Sequence, residues 1–431
     1  MTTPDQQLQT LGSDVGPAST PAAGPGPAPA AGLDEGLRAR MLEFYRHLHA
    51  NPELSMQEHR TAEFIEAHLD TLGIEHFRCG GTGVVGVLRN GEGPVVGFRA
   101  DTDGLPIEED SDVDYRSTAR GTLEDGTEVP VMHGCGHDTH VTALITAAEV
   151  LVADRDTWSG TVVLIFQPGE ETAAGAAAMV KDGIWDRAPR PEVVYGQHVM
   201  PGLAGTVAIV PGTAMAYADS LKVTLYGEQS HGSQPQDSID PIVQGAHIVT
   251  RLQAIVAREL DPRRAAVVTV GTFHAGLKEN IIPATAEFTL NIRTMDDDVR
   301  EHVLAAVRRI ITAEAAASGA PEPRIEQLYR FPRNFNDPAE TAAVTEVLRG
   351  ALGVDRVRAA EPMMGSEDFG TLPGALGVPS VFWFYGGFDQ ETVDSGTMPV
   401  NHSPRFVPVP EPTLWTAATA ALAAIRSRLG S

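Results

Sequence analysis

Thr285-Ala286-Glu287-Phe288-Thr289-Leu290-Asn291-Ile292-Arg293 alternates apolar and polar side chains without a break: Ala286, Phe288, Leu290 and Ile292 fall on one side, Glu287, Thr289, Asn291 and Arg293 on the other. A period of two belongs to a strand with one face buried. The neighbouring segments complete a pattern. Ser220 to Tyr226 and Ala266 to Phe273 read as strands separated by a helix from Asp240 to Leu260; a helix from Asp297 to Glu314 and a strand from Arg324 to Tyr329 follow. The order β-α-β-β-α-β is the ferredoxin-like unit, a complete small domain. Residues 217–329 are therefore expected to form an insertion.

On either side the pattern is different. Leu37, Met41, Tyr45 and Leu48 recur at helical spacing until Pro52. Ser55 with Glu58 reads as a capping box for a second helix carrying Ile65, Leu69 and Leu72 and closed by Gly73. Strands are expected at 84–88, 95–98, 162–166 and 192–195, with helices at 139–152 and 173–181. After the insertion come a helix at 340–352, a strand at 379–385 and a helix at 412–429. Strands alternating with helices predict an α/β layered domain, here in two parts, 33–216 and 330–431. Residues 16–32 contain only Gly, Pro, Ala, Ser and Thr, so 1–32 are expected to be a disordered tail. Gly81-Thr82-Gly83-Val84-Val85-Gly86 matches the dinucleotide fingerprint by letter, but that motif must follow a strand and open a helix, and here the valines form the strand.

The chain has 431 residues, with 32 Lys+Arg against 57 Asp+Glu and a formal charge of −25. That balance repels phosphate backbones and anionic lipid, which argues against nucleic acid and membrane as partners and for a small molecule. No apolar run reaches the roughly 18 residues a membrane helix needs, and no basic-then-apolar leader opens the chain. Two cysteines build no disulfide framework, so a reducing, cytoplasmic setting is expected.

Chemistry-bearing residues collect where strands end. The strand at 95–98 runs into Arg99-Ala100-Asp101-Thr102-Asp103, that at 162–166 into Gln167-Pro168-Gly169-Glu170-Glu171, and that at 192–195 into Gly196-Gln197-His198. Ligands of open α/β sheets bind outside the carboxyl ends of the strands. Met132-His133-Gly134-Cys135-Gly136-His137-Asp138-Thr139-His140 lies between the first two, directly before a helix. A thiol, imidazoles and carboxylates brought to one crevice are metal-ligand chemistry. Taken singly these residues have plainer uses: Asp138 as a helix N-cap, Cys135 as a small buried residue, His133 and His140 in structural or outer positions.

Together with His49-Ala50-Asn51-Pro52-Glu53-Leu54-Ser55, Ser230-His231-Gly232, Asn280-Ile281-Ile282-Pro283, Gly365-Ser366-Glu367-Asp368-Phe369 and Asn401-His402-Ser403, these segments resemble the aminoacylase and carboxypeptidase superfamily of co-catalytic metal hydrolases. The similarity is to the branch of hippurate hydrolases, N-acyl-amino-acid amidohydrolases and auxin-conjugate hydrolases, and it spans residues 35 to 425. The resemblance implies a mixed-sheet α/β/α catalytic domain with the ferredoxin-like insert as lid and dimerisation unit, and a homodimer. It implies two divalent ions, zinc or manganese with cobalt or nickel as alternatives, held by Cys135, His137, Glu171, His198 and His402. Glu170 would be the general base, His231 would steady the oxyanion from the insert, usually in the partner's site, and Asn280 and Arg293 would contact substrate. Asp103 would orient a histidine ligand. One position departs: many relatives carry a ligand histidine where this chain has Asp101, and Cys135 takes over, leaving the bridging group and the metal open. Which of Glu170 and Glu171 is base and which is ligand is implied by the resemblance alone.

The expected activity is hydrolysis of the amide bond of N-acyl amino acids. A silent ligand-binding protein on the same scaffold and a carboxypeptidase acting on peptides are the alternatives. Ser230-His231 is not a nucleophile and base pair, because adjacent side chains on an extended segment point opposite ways.

Overall fold

The structure is a computed structural model and describes residues 34–430. The expected disordered tail, 1–32, lies outside the described residues. Eight strands form the larger sheet, in the order Glu75–Cys79, Gly83–Asn90, Gly160–Gln167, Val95–Asp101, Val193–Leu203, Ser380–Phe388, Val207–Ile209, Val357–Ala359. Four adjacent members, Gly160–Gln167, Val95–Asp101, Val193–Leu203 and Ser380–Phe388, run parallel to one another. Their carboxyl ends therefore open on one edge.

Parallel strands buried on both faces read as unbroken apolar runs, and Gly160–Gln167 is buried along its whole length. Val162, Leu164 and Phe166 enter one core with Tyr45, Ile65, Leu144, Trp383 and Leu422. Val163 and Ile165 enter a second core, with Met179, Trp185, Phe369 and Phe382. The sheet is thus sandwiched between helical layers, as an α/β domain requires.

The smaller sheet has the order Ala266–Ala275, Thr285–Thr294, Tyr217–Tyr226, Arg324–Phe331, all antiparallel. Phe288, Leu290 and Ile292 point from one face into a core with Ile248 and Leu252 of helix Pro241–Ala254 and Val303, Val307 and Ile310 of helix Asp297–Ala317. The period-two stretch is read correctly, and the β-α-β-β-α-β order is present. Where the chain passes between the two units, Gly212–Met215 pairs with Asn334–Asn336.

Several local expectations are corrected. The helix expected from 240 to 260 is α-helical only to Ala254, and Ile255–Glu259 is a π-helical turn. Ser55 and Glu58 form no capping box: helix His59–Thr71 starts after Glu58 without a side-chain cap. The Ser55 hydroxyl donates to Asp103 at 2.6 Å instead, and Glu58 accepts from the amide of Gly169 at 2.8 Å. Tertiary partners take the place of the helix cap. Asp138 is not an N-cap either. Gly136, at φ +77°, holds that place, and Asp138 is buried in the first turn. A Cβ at Gly136 would lie 2.4 Å from Val199 Cγ1, so only glycine allows both the turn and the close approach. Gly81 to Gly86 opens no helix; it leads into the second strand of a hairpin in which Phe77 faces Val85.

Candidate active site

The sheet delivers the carboxylates at or just past strand ends, whereas His198, expected beyond a strand at 192–195, lies within Val193–Leu203. Asp101 closes Val95–Asp101, and Glu170 and Glu171 follow Gly160–Gln167 by a tight turn. His198 sits beside Phe384 of the neighbouring parallel strand. Cys135 and His137 come from the start of helix His137–Ala153, and His402, at φ +69°, is fixed by its amide donating to Gly134 O at 2.8 Å. Cys135, Glu170, Glu171, His198, Arg293 and His402 line one cavity of about 510 Å³.

Within it the donor atoms are already aimed. The Nδ1 of His198 donates to the Val199 carbonyl at 2.7 Å, leaving Nε2 to face Cys135 Sγ at 3.4 Å. His137 donates from Nδ1 to Asp103 Oδ1 at 3.1 Å. Its Nε2 lies 4.0 Å from Glu171 Oε1, which in turn is 3.3 Å from His402 Nε2. Ligand atoms of Cys135, His137 and Glu171 all lie within 4.8 Å of one another. Both His137 Nε2 and Glu171 Oε1 are buried without a hydrogen-bond partner. Buried polar atoms left unpaired are costly, and a divalent cation among them would satisfy both. Thiolate, imidazole and carboxylate are the donors of such an ion, and imidazoles held through Nδ1 by a carboxylate or carbonyl are its usual partners.

The charges support the same fit. Burial, with Glu171, Glu170 and Asp101 close by, pushes the Cys135 thiol far up; only a cation would make it a thiolate. Burial opposes the charge on His137, yet Asp101 and Asp103 outweigh it and raise the imidazole to about 10. Burial leaves His198 well below the usual histidine range, and neutral.

Behind the donors lies a buried ionic network. Arg99 donates to Gln167 at 2.9 Å, to Asp101 at 2.6 Å, to Glu367 at 2.8 and 3.3 Å, and to Asp368 at 3.3 Å. Asp101 also accepts from His140 Nδ1, whose Nε2 accepts the Val199 amide at 2.9 Å. Asp101 thus accepts from protein donors through both oxygens, while Oδ2 also lies 3.6 Å from His137 Nε2. Glu170 clusters with Glu367 and Asp368. Burial, then Glu367 and Glu171, hold its carboxyl well above the carboxylate range, and burial with Glu367 pushes Asp368 up to about 8 against the pull of Arg99.

Of the sequence candidates, Cys135, His137, Glu170, Glu171, His198, His402, Asp103 and Arg293 are brought together. Arg293 reaches from the smaller sheet, donating from Nη1 to Met364 O at 3.1 Å and the Ser366 hydroxyl at 2.9 Å. His231 and Asn280 are not part of this group. They lie side by side on the smaller unit, where Ser230–His231 pairs with Ile281–Ile282 and the Gly232 amide donates to Asn280 O at 2.8 Å, and both are exposed. Sequence reasoning assigned no role to Arg99, Glu367, Asp368 or Asn401, the last donating toward Cys135 Sγ at 3.7 Å. Arg99 is a charge inside the otherwise apolar strand Val95–Asp101, whereas Glu367, Asp368 and Asn401 lie in loops and were visible only as members of the quoted motifs. His49, bonded to Asp138 at 2.7 Å and Glu109 at 3.2 Å, continues the buried face of helix Glu35–Ala50 and was given no role.

Residues 97–425 match the model of peptidase family M20/M25/M40. Thermostable carboxypeptidase 2 of Saccharolobus solfataricus is 36% identical over 374 residues, covering 85% of this chain and 90% of that protein. Hippurate hydrolase of Campylobacter jejuni is 35% identical, over 76% of this chain and 84% of its own. Among solved structures, the YxeP protein of Bacillus subtilis, described as a dinuclear metal-binding peptidase of the M20 family, superposes with a TM-score of 0.74 at 30% identity, covering 92% of this chain and all of that one.

Proposed function

This chain belongs to peptidase family M20/M25/M40 and is a metal-dependent amidohydrolase, and from that premise we propose that it cleaves the amide bond of N-acyl amino acids. The observation that carries the reading is Glu170, buried beside the Cys135, His137 and Glu171 donors in the cavity that Arg293 also lines.

Cys135, His137, Glu171, His198 and His402 would hold two divalent cations, and the sulfur donor favours zinc over manganese. Bound there, the cations supply Lewis acidity toward water and the scissile carbonyl. The positive charge of those cations would offset burial, Glu367 and Glu171 and leave Glu170 ionised, able to accept the proton of the attacking water and return it to the leaving nitrogen, work that contributes about 10²- to 10⁴-fold. Arg293 keeps Nη2 uncommitted among the described residues and is a natural clamp for the substrate's carboxylate. Met200, Met215, Phe331 and Phe384 make up much of the remaining wall, a surface suited to an apolar acyl group or side chain. Asp103 orients His137 and ties the Glu171 amide at 3.1 Å.

Residues 217–329 are assigned as lid and dimerisation unit. His231 and Asn280, exposed in the single chain, would then complete the site of a second copy in a homodimer, with His231 steadying the oxyanion.

Steady-state assay of the zinc- and manganese-loaded protein on N-acetyl, N-benzoyl and longer N-acyl amino acids tests the reading; no turnover on any of them refutes it. The name of the Saccharolobus relative favours a second reading, peptide hydrolysis with Arg293 on the C-terminal carboxylate. Dipeptides cleaved faster than N-acyl amino acids would select it.

A further inference from the structure

Glu58 is 0% exposed yet makes no contact with the cavity and was marked by the sequence only as a helix cap. We propose that Glu58 is a positioning residue for the turn that presents Glu170 and Glu171. One oxygen of its carboxylate accepts the Met56 amide at 2.9 Å and the Gly169 amide at 2.8 Å, and the other accepts the Thr82 hydroxyl.

The position of that tie matters. Within itself the turn is held by the Gly169 carbonyl, which accepts from the Ala174 and Gly175 amides at 3.2 and 3.1 Å, and by the Ala173 amide donating to Glu170 O at 2.8 Å. These bonds fix the shape of the turn but not its place over the sheet. Glu58 ties it from outside, one peptide before Glu170 and two before Glu171. A second tie, the Glu171 amide on Asp103, depends on the same segment, because Ser55 donates to the same oxygen of Asp103. The backbone is crowded and left-handed at this point: φ is +54° at Gly169 and +63° at Met56, and a Cβ on Gly169 would lie 2.5 Å from Met56 Sδ. One carboxyl oxygen shared by two amides holds such a crossing in register. Reactive geometry tolerates little drift, since a misplacement of about 1 Å costs on the order of 10² in rate.

The proposal rests on the roles given to Glu170 and Glu171 above. Its test compares Glu58→Ala, Glu58→Gln and Gly169→Ala in the full-length protein, by zinc affinity and by steady-state kinetics on an N-acyl amino acid. Glu58→Gln keeps an oxygen for both amides, and Thr82 can turn its hydroxyl to accept. Glu58→Ala is expected to lower kcat about 10²-fold with KM within about threefold, and to weaken zinc binding about tenfold or more. Glu58→Gln should recover kcat to within about tenfold of wild type. Gly169→Ala, which leaves Glu58 buried as before, should reproduce the alanine phenotype and serves if Glu58→Ala does not fold. Wild-type kcat and zinc affinity in Gly169→Ala, or a glutamine variant no better than alanine, overturns the proposal. If the wild type proves inert on N-acyl amino acids the functional reading fails, while the zinc affinities still decide the role of Glu58.

Discussion

Replacing Arg99 by methionine keeps the bulk of the side chain and removes its charge. Arg99 is 0% exposed, and its guanidinium faces Asp101, Glu367 and Asp368, all essentially buried. Breaking a buried ion pair by deleting one partner costs about 3–5 kcal/mol, because the orphaned charge stays in a poor solvent. Here Asp101, Glu367 and an Asp368 that is partly ionised at pH 8 share one cation, so the cost at that pH is about 3–5 kcal/mol. The cost should depend on pH in a definite direction. Asp368 is held near 8 even with Arg99 present, so it keeps a proton in the folded state that the unfolded chain releases near 4. Stability from that group falls as pH rises from about 4 to 8. Without Arg99 the neighbouring carboxyls rise as well, and the folded protein escapes its penalty only by binding protons. The difference between wild type and Arg99→Met should therefore be largest at pH 8 and shrink toward pH 5. Urea unfolding followed by tryptophan fluorescence, with Trp185 in the core that Phe369 joins, measures it at pH 5, 6.5 and 8. A loss below about 1 kcal/mol, or one that does not change with pH, refutes the account of the network.

Zinc affinity should rise with pH. His137 sits at about 10 without a cation and the Cys135 thiol higher than usual, so binding expels protons; calorimetry should show log K increasing by one or more per pH unit between 6 and 8, and a flat profile counts against those ligands. Arg293→Lys loses the planar fork and should raise KM for N-acyl amino acids about tenfold or more with a smaller change in kcat; an unchanged KM removes the clamp. Gly136→Ala would place a Cβ 2.4 Å from Val199 Cγ1 at a φ of +77°, displacing Cys135 and His137, and should abolish tight zinc binding; wild-type affinity would show that the turn is not needed.

The strands and helices were legible because their burial is periodic. Thr285–Thr294 alternates as written, and Val162 to Phe166 within Gly160–Gln167 are all apolar because both faces of that strand are covered. What misled was local chemistry with a distant partner. Ser55, Glu58 and Asp138 carry side chains that cap helices in isolation, but each finds a buried partner far along the chain: Asp103 for Ser55, Gly169 for Glu58, His49 for Asp138. Short strands such as Val207–Ile209 and Val357–Ala359 were missed because three residues are too few to show a period. In the site, donors adjacent in sequence motifs were readable, whereas the Arg99 network joins positions more than 260 residues apart. His231 and Asn280 illustrate the remaining gap: their motifs are plain, but the surface they occupy in one chain does not reach the cavity.

The most direct test of the central claim is Glu170→Ala, assayed for metal content and for turnover of an N-acyl amino acid side by side. The account predicts about two metal ions per chain, as in wild type, and a kcat lowered by 10² to 10⁴. Full metal content with near wild-type turnover would contradict it.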